Sequence, residues 1–80
     1  MSRKPNQSRE YAKVPPFLQG MRESAKLTQR QLAAKVRKPQ WWVARIETGS
    51  RRVDVAEFIL YCEGCGEDPA AALALLRVRR

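Results

Sequence analysis

The stretch LTQRQLAAKVRKPQWWVARIETG, residues 27–49, contains two short amphipathic helical patterns separated by a tight basic turn. In the first pattern Thr28 is a favourable N-cap residue, because its hydroxyl can accept a hydrogen bond from the first helical turn. Leu32, Ala33 and Val36 then repeat at the spacing of one helix face. These features predict a helix that begins directly after Thr28 and packs through that face.

The second pattern follows the basic turn. Pro39 suits the first turn of a new helix, where a missing backbone N–H costs nothing. Val43 and Ile46 fall on one face of this helix, as core residues do. The opposite face holds Gln40, Trp41, Ala44 and Arg45. The sequence therefore predicts a helix with one side in the core and one side available for contact with a partner.

The remaining sequence predicts three more helices and no strand. Apolar residues at helical spacing predict a helix over residues 16–26. Asp54 is a good N-cap for a helix that Gly64 and Gly66 end, and Asp68-Pro69 begins a last helix that runs to about residue 76. Residues 1–13 are polar and basic without periodicity. We therefore expect a flexible basic arm over residues 1–13, a folded domain over 14–76 and a basic tail over 77–80.

Charge is segregated along the chain, which has a formal net charge of +8. Residues 1–53 carry thirteen Lys and Arg against three acids, whereas residues 54–76 carry five acids and no basic residue. Such a separation of sign favours an oriented contact with a polyanion over a merely solvated surface.

Three segments of the opening stretch resemble the XRE family of helix-turn-helix domains, which includes the phage Cro and repressor proteins. They are the LTQ start at residues 27–29, the LAAKV body at 32–36 and the RIETG close at 45–49. The resemblance implies an all-α, compact five-helix bundle of the phage-repressor type, with helix 3 (about residues 39–48) in the major groove. The implied function is sequence-specific, double-stranded DNA binding by a transcriptional regulator, a repressor that binds a two-fold operator as a homodimer.

The resemblance also implies which side chains contact DNA, because in the family the first residue of helix 2 and the first residues of helix 3 face the duplex. An amide can bond a base edge in both directions, and a guanidinium can bind guanine O6 and N7 together. The expected base contacts are Gln40, Trp41 and Arg45. The expected phosphate contacts, which position the protein without specifying sequence, are Gln29, Arg30, Arg37, Lys38, Arg51 and Arg52.

Trp41 and Trp42 stand where the family usually has small polar residues. Consecutive helical residues differ in direction by about 100 degrees, so both rings cannot lie in the core. We expect Trp41 on the DNA side, covering thymine methyl groups or sugar, and Trp42 against the protein. The alternative is that both rings belong to a protein interface, where exposed Trp is common.

Two further expectations from the resemblance concern stability. Arg22 and Glu47 should form a partly buried structural ion pair. Lys26 and Arg37 stand where a Gly commonly ends helix 1 and makes the turn between helices 2 and 3. If those residues keep a left-handed backbone, each substitution costs about 1 kcal/mol, and the turn itself could be altered.

The C-terminal half is expected to supply a dimer surface, since it carries more large apolar residues than one small core needs. The residues are Ile59, Leu60, Leu73 and Leu76. Cys62 and Cys65 fall on a helical core stripe, and the chain has no His, so no metal or cofactor is expected and core filling is the default interpretation. A four-thiolate site shared by a dimer and a thiol switch remain as alternatives.

Other classes of function are disfavoured. The sequence has no His, no paired-carboxylate pocket and no phosphate-binding Gly loop, so we do not expect an enzyme. It has no apolar run of membrane-spanning length and no signal peptide, so we expect a cytoplasmic protein that is nucleoid-associated when bound to DNA. The alternative function is an antitoxin-type protein-interaction module with autoregulatory DNA binding, and RNA binding is a weaker third. The arm either follows the minor groove or acts only as a solubilising tail.

Overall fold

The computed structural model describes residues 8–78, which contain five α-helices and one short 3-10 helix. Those residues contain no strand, which agrees with the predicted all-α, five-helix fold. The elements are the 3-10 helix Tyr11–Lys13, α1 Val14–Ser24, α2 Gln29–Val36, α3 Gln40–Thr48, α4 Val55–Gly64 and α5 Pro69–Val78.

Capping boxes fix the starts of α2 and α4 where the sequence predicts them. The Thr28 hydroxyl accepts a hydrogen bond from the Gln31 backbone N–H at 3.1 Å, and the Gln31 side chain accepts one from the Thr28 N–H at 2.9 Å. Asp54 and Glu57 make the same reciprocal pair at 2.7 and 3.1 Å. Because each box satisfies backbone donors that a helix start leaves unpaired, these local residues decide where the two helices begin.

A single core joins the helices, and α1 to α4 each turn one face toward it. Its centre is fully enclosed: Leu18 of α1, Leu32 of α2, and Val43 and Ile46 of α3 have no exposed surface. The complete set of buried apolar residues is Phe17, Leu18, Leu32, Ala33, Val36, Trp42, Val43, Ile46, Tyr61, Cys62, Cys65, Ala72 and Leu76. The fold therefore holds α3 by its inner face and leaves its outer face at the surface.

The ordered domain begins earlier than the sequence predicts. Residues 8–13 were expected to belong to a flexible arm, but they form a turn and the 3-10 helix. The Tyr11 hydroxyl accepts a hydrogen bond from the Val53 backbone N–H at 2.9 Å, so this segment packs on the loop between α3 and α4. Residues 1–7 of the expected arm and residues 79–80 of the expected tail lie outside the described part, and α5 extends through Arg77 to Val78.

Both cysteines are free thiols in the core, as core filling requires. Burial is the main reason that the pKa of Cys62 rises to about 12 and that of Cys65 to about 11. Both thiols are therefore protonated and unreactive near neutral pH. Within residues 8–78, no group of three or more His, Cys, Asp or Glu side chains is arranged to hold a metal ion.

No helix in the described range is both long and apolar enough to span a bilayer.

Candidate nucleic-acid interface

The two sides of α3 differ as the sequence predicts. Val43 and Ile46 are fully buried on the inner side. Gln40, Trp41 and Arg45 are all exposed on the outer side. A helix held from behind, with polar and aromatic side chains in front, presents a rigid surface to a partner.

The adjacent tryptophans occupy opposite environments. Trp41 is 50% exposed, whereas Trp42 is 2% exposed and its indole Nε1 donates a hydrogen bond to Glu57 Oε2 at 3.3 Å. Trp42 therefore packs against the protein as expected, and Trp41 lies on the exposed side of α3, where its contact with DNA stays a prediction. The alternative that both rings form one protein interface is wrong for Trp42, because its ring is part of the core.

Trp41 also has a partner on the same helix. The Arg45 guanidinium carbon lies over the Trp41 ring, 5.0 Å from the ring centroid. The two residues are four apart, which is the spacing at which side chains on a helix surface meet. This contact is a cation–π interaction between two residues that were expected to touch bases.

The turn between α2 and α3 has the left-handed backbone conformation that glycine commonly provides, although Arg37 occupies the position. Arg37 has a left-handed backbone, with φ 59° and ψ 44°, and the Lys38 N–H bonds the Ala33 carbonyl oxygen at 3.0 Å. Lys26 after α1 is also left-handed, with φ 63°. The turn is thus not altered, and each side chain in this conformation costs about 1 kcal/mol relative to glycine.

A buried ion pair between Arg22 and Glu47 fixes α3 to α1, as the family resemblance implies. Arg22 Nε donates to Glu47 Oε2 at 2.7 Å, and Arg22 Nη2 donates to Glu47 Oε1 at 3.0 Å. The third guanidinium nitrogen, Nη1, donates to the Leu27 carbonyl oxygen at 2.7 Å. This two-point contact sets the orientation of α3 as well as its distance from α1.

Two further side chains bind the same carboxylate. The Tyr61 hydroxyl donates to Glu47 Oε2 at 2.5 Å, and Gln29 Nε2 donates to Glu47 Oε1 at 3.0 Å. Burial opposes the charged form of Glu47, but the hydrogen bonds from Arg22, Tyr61 and Gln29 outweigh it, so the pKa of Glu47 lies below its ordinary value. Sequence reasoning missed the role of Tyr61, since its helical spacing indicates only a core position.

The expected phosphate-binding residues fall into two groups. Arg30, Arg37, Lys38 and Arg52 are exposed. Gln29 and Arg51 instead bind carboxylates, because Gln29 bonds Glu47 and Arg51 forms an ion pair with Glu57 at 2.5 Å. The Glu57 carboxylate therefore compensates the charge of Arg51, and Gln29 is directed back toward the protein.

The residues expected at a dimer surface also divide. Ile59 and Leu73 are 40% and 56% exposed. The expectation for Leu76 is wrong, because it is 7% exposed and fills the core beneath α5, and Leu60 is partly buried against the same core. Sequence reasoning did not place Val55 at this surface, yet its side chain is 77% exposed.

An apolar groove between α4 and α5 joins the exposed members of this set. Its volume is about 390 Å³, and it is lined by Val55, Phe58, Ile59, Asp68, Pro69, Ala70 and Leu73. A groove of this kind on a small domain is typical of a protein contact surface.

The fold and the two-sided α3, together with the family match, identify a DNA-binding transcription regulator of the helix-turn-helix class. Residues 17–79 match a family model described as a helix-turn-helix domain, so the chain belongs to that family, and it is of the XRE type. It is similar to an XRE-family like protein from Pseudomonas syringae pv. tomato str. DC3000, with 39% identity, a TM-score of 0.81 and coverage of 86% of this chain and 84% of that chain.

A second solved structure shares the fold. It is a mutant of the restriction-modification controller protein C.Esp1396I, with 23% identity, a TM-score of 0.80 and coverage of 88% of this chain and 91% of that chain. None of the curated proteins matches the chain.

Proposed function

We propose that the chain is a transcriptional repressor that binds a two-fold operator in double-stranded DNA as a homodimer. The observation that carries this proposal is the outer face of α3, where Gln40, Trp41 and Arg45 are exposed on a helix fixed from behind by the core. Amide and guanidinium groups match the donor and acceptor pattern of bases in the major groove. Occupation of a promoter by such a dimer would exclude other proteins from it.

The charge around α3 supports this placement on the duplex. Arg30 and Arg37 are exposed at the start of α2 and in the turn before α3, and Lys38 follows them. Arg52 lies beyond the end of α3 with its guanidinium 4.5 Å from the centroid of the Tyr11 ring. Basic side chains on both sides of a reading helix would hold the phosphate backbones while the helix contacts base edges.

The α4/α5 groove is assigned in this proposal to a second copy of the chain. Val55, Ile59 and Leu73 place apolar surface on a domain of only 80 residues, and a symmetric contact would cover it. Half-sites about 34 Å apart on one face of the duplex would then receive the two copies of α3. A two-fold operator thus follows from a two-fold protein.

The DNA-binding part is tested by recovering bound fragments from a genomic library. The intact chain is expected to enrich a two-fold motif, and a Gln40→Ala/Arg45→Ala variant is expected to lose it. Arg77→Ala, which removes an exposed positive charge on α5, serves as the control and should keep the motif. Binding that is indifferent to sequence, and equal in all three proteins, would contradict the assignment of α3.

The dimer is tested by sedimentation of the purified chain. Ile59→Glu and Leu73→Glu place a charge in the groove and should each give a monomer, because a buried unpaired charge is strongly unfavourable. Leu75→Glu is the matched control, since Leu75 is 61% exposed but lines a different groove between α1 and α5. A monomeric intact chain, or equal dissociation by all three substitutions, would show that the groove does not hold a second copy.

A further inference from the structure

Trp41 is the largest side chain on the outer face of α3, and it makes a cation–π contact with Arg45 on the same face. The Arg45 guanidinium lies over its ring at 5.0 Å from the centroid. Half of the Trp41 surface nevertheless stays exposed. The ring therefore has one part in contact with the guanidinium and another part available to a ligand.

Contact with the ring restricts a side chain that would otherwise be mobile. An exposed Arg has many rotamers and must give them up when it binds a base edge with two hydrogen bonds. A guanidinium already held over an indole loses less freedom on binding. Such a contact would make Trp41 a positioning residue for Arg45 in addition to any contact of its own.

The chemistry of the pair defines the base step that fits it. The fork of Arg45 matches O6 and N7 of guanine, while the apolar indole matches the 5-methyl group of a pyrimidine, which is the apolar group that the major groove offers. We propose that Trp41 and Arg45 act as one recognition unit for a guanine next to a 5-methylpyrimidine. Both thymine and 5-methylcytosine carry that methyl group.

This inference rests on the proposed function, because it needs α3 in the major groove. The test begins with selection of duplexes from a random pool by the intact chain, which is expected to yield half-sites with a guanine flanked by thymine. Replacing that thymine by uracil in one half-site removes one methyl group alone and should weaken binding about fourfold. If cytosine replaces the thymine, methylation of that cytosine should strengthen binding by a similar factor.

Variants of Trp41 separate positioning from simple contact. Trp41→Ala should reduce the preference for the guanine by about two- to fivefold, since the cation–π contact is lost. It should also abolish the difference between thymine and uracil. Trp41→Phe keeps an aromatic face and should retain most of both preferences. Equal thermal unfolding of the variants and equal binding to non-specific DNA at low salt show that fold and phosphate contacts are intact.

The outcomes distinguish failure of the proposed function from failure of the inference about Trp41 and Arg45. A random-pool selection with no motif overturns the proposed function and this inference with it. A motif whose guanine preference is the same in the intact chain and Trp41→Ala leaves the function standing and overturns the positioning role. Equal binding of thymine and uracil duplexes overturns the assignment of the indole to the methyl group, and a cytosine whose methylation has no effect overturns the assignment to a 5-methylpyrimidine.

Discussion

Glu47 is the residue at which four helices meet. It lies in α3 and accepts hydrogen bonds from Arg22 of α1, Gln29 of α2 and Tyr61 of α4. The Tyr61 hydroxyl also lies 3.1 Å from the Leu18 carbonyl oxygen, so its single hydrogen is shared between two acceptors. A buried carboxylate in this position keeps its charge without a large energetic cost only while its hydrogen-bond donors are present.

Removal of Arg22 should therefore be costly. Arg22→Ala leaves the buried Glu47 carboxylate without its cation, and we expect a loss of about 3–5 kcal/mol in the free energy of unfolding. Urea denaturation followed by circular dichroism measures it. Arg30→Ala is the control, because Arg30 is exposed and its loss should change stability by no more than about 0.5 kcal/mol. Similar values for the two variants would show that the ion pair contributes no more than a surface charge.

The same network predicts a loss of stability in acid. Two carboxylates, Glu47 and Glu57, have a lowered pKa in the folded chain. Burial is the largest single effect and opposes their charged forms, but the hydrogen bonds that each carboxylate accepts together outweigh it, with the largest contributions from Arg22 to Glu47 and from Arg51 to Glu57. Each group therefore stabilises the fold fully above its unfolded pKa of about 4.3, and that contribution is lost as the pH falls through the folded pKa.

Urea denaturation between pH 7 and pH 3 tests this dependence. The intact chain should lose stability below about pH 4.3. Glu47→Gln, which cannot ionise, should start from a lower stability at pH 7 and show a shallower decline. A free energy of unfolding that is constant over this range would contradict the role of the two carboxylates.

At the scale of the helices, the approach of α4 to α2 depends on Gly64. A Cβ atom built at this position would lie 2.6 Å from Val36 Cγ1 and 2.7 Å from Leu32 Cδ1. Both neighbours are core side chains and cannot move freely. The absence of a side chain at Gly64 is therefore what allows the two helices to pack.

Gly64→Ala should lower the free energy of unfolding by about 1–3 kcal/mol, because it overpacks the core. Gly20→Ala is a matched control within α1, since a Cβ there would meet nothing within 4 Å. That change should instead raise stability by about 0.5–1 kcal/mol through the lower conformational entropy of the unfolded chain. Thermal unfolding of the two variants gives the comparison, and a stabilised Gly64→Ala would show that α2 and α4 lie farther apart.

The sequence predicts the helix starts and the division between the two tryptophans, but it does not predict the packing role of Gly64. Thr28 and Asp54 identify helix starts because a capping box depends on residues only a few positions apart. The sequence also predicts the separation of Trp41 from Trp42, since helical geometry alone forces it. It assigns Gly64 only the role of ending a helix, because the reason for the glycine lies on α2.

The structure surrounds three of the expected site and surface residues with partners that the sequence did not predict, and these differences have a related cause. Gln29 and Arg51 have the residue types and positions of phosphate contacts, but tertiary packing brings Glu47 and Glu57 to them. Leu76 is in a crowded apolar segment, and only the packing of α5 shows that it points into the core. Residues distant in the chain determine the contacts of these three side chains, and no local sequence pattern indicates those contacts.

For the whole molecule, the segregation of charge makes affinity for DNA dependent on salt. Residues 54–76 carry five acids, but one of them, Glu57, forms an ion pair with Arg51 in the basic part of the chain, residues 1–53. Arg51 is also less accessible than a free surface cation, with a side chain that is 40% exposed. The number of basic residues in residues 1–53 therefore overstates the number of cations available to phosphates.

Salt dependence of binding can count those cations. For each contact between a basic side chain and a phosphate, the slope of log affinity against log salt changes by about 0.9, so a residue present twice in a dimer contributes about 1.8. Arg30→Ala should reduce the slope by that amount, and Arg77→Ala, on α5, should leave it unchanged. We expect a clearly smaller reduction for Arg51→Ala, since Glu57 already neutralises that charge. Titration of a fluorescent operator duplex at several salt concentrations measures all three slopes. Equal reductions for Arg30→Ala and Arg51→Ala would mean that Arg51 leaves Glu57 when DNA binds, and that the ion pair belongs only to the free protein.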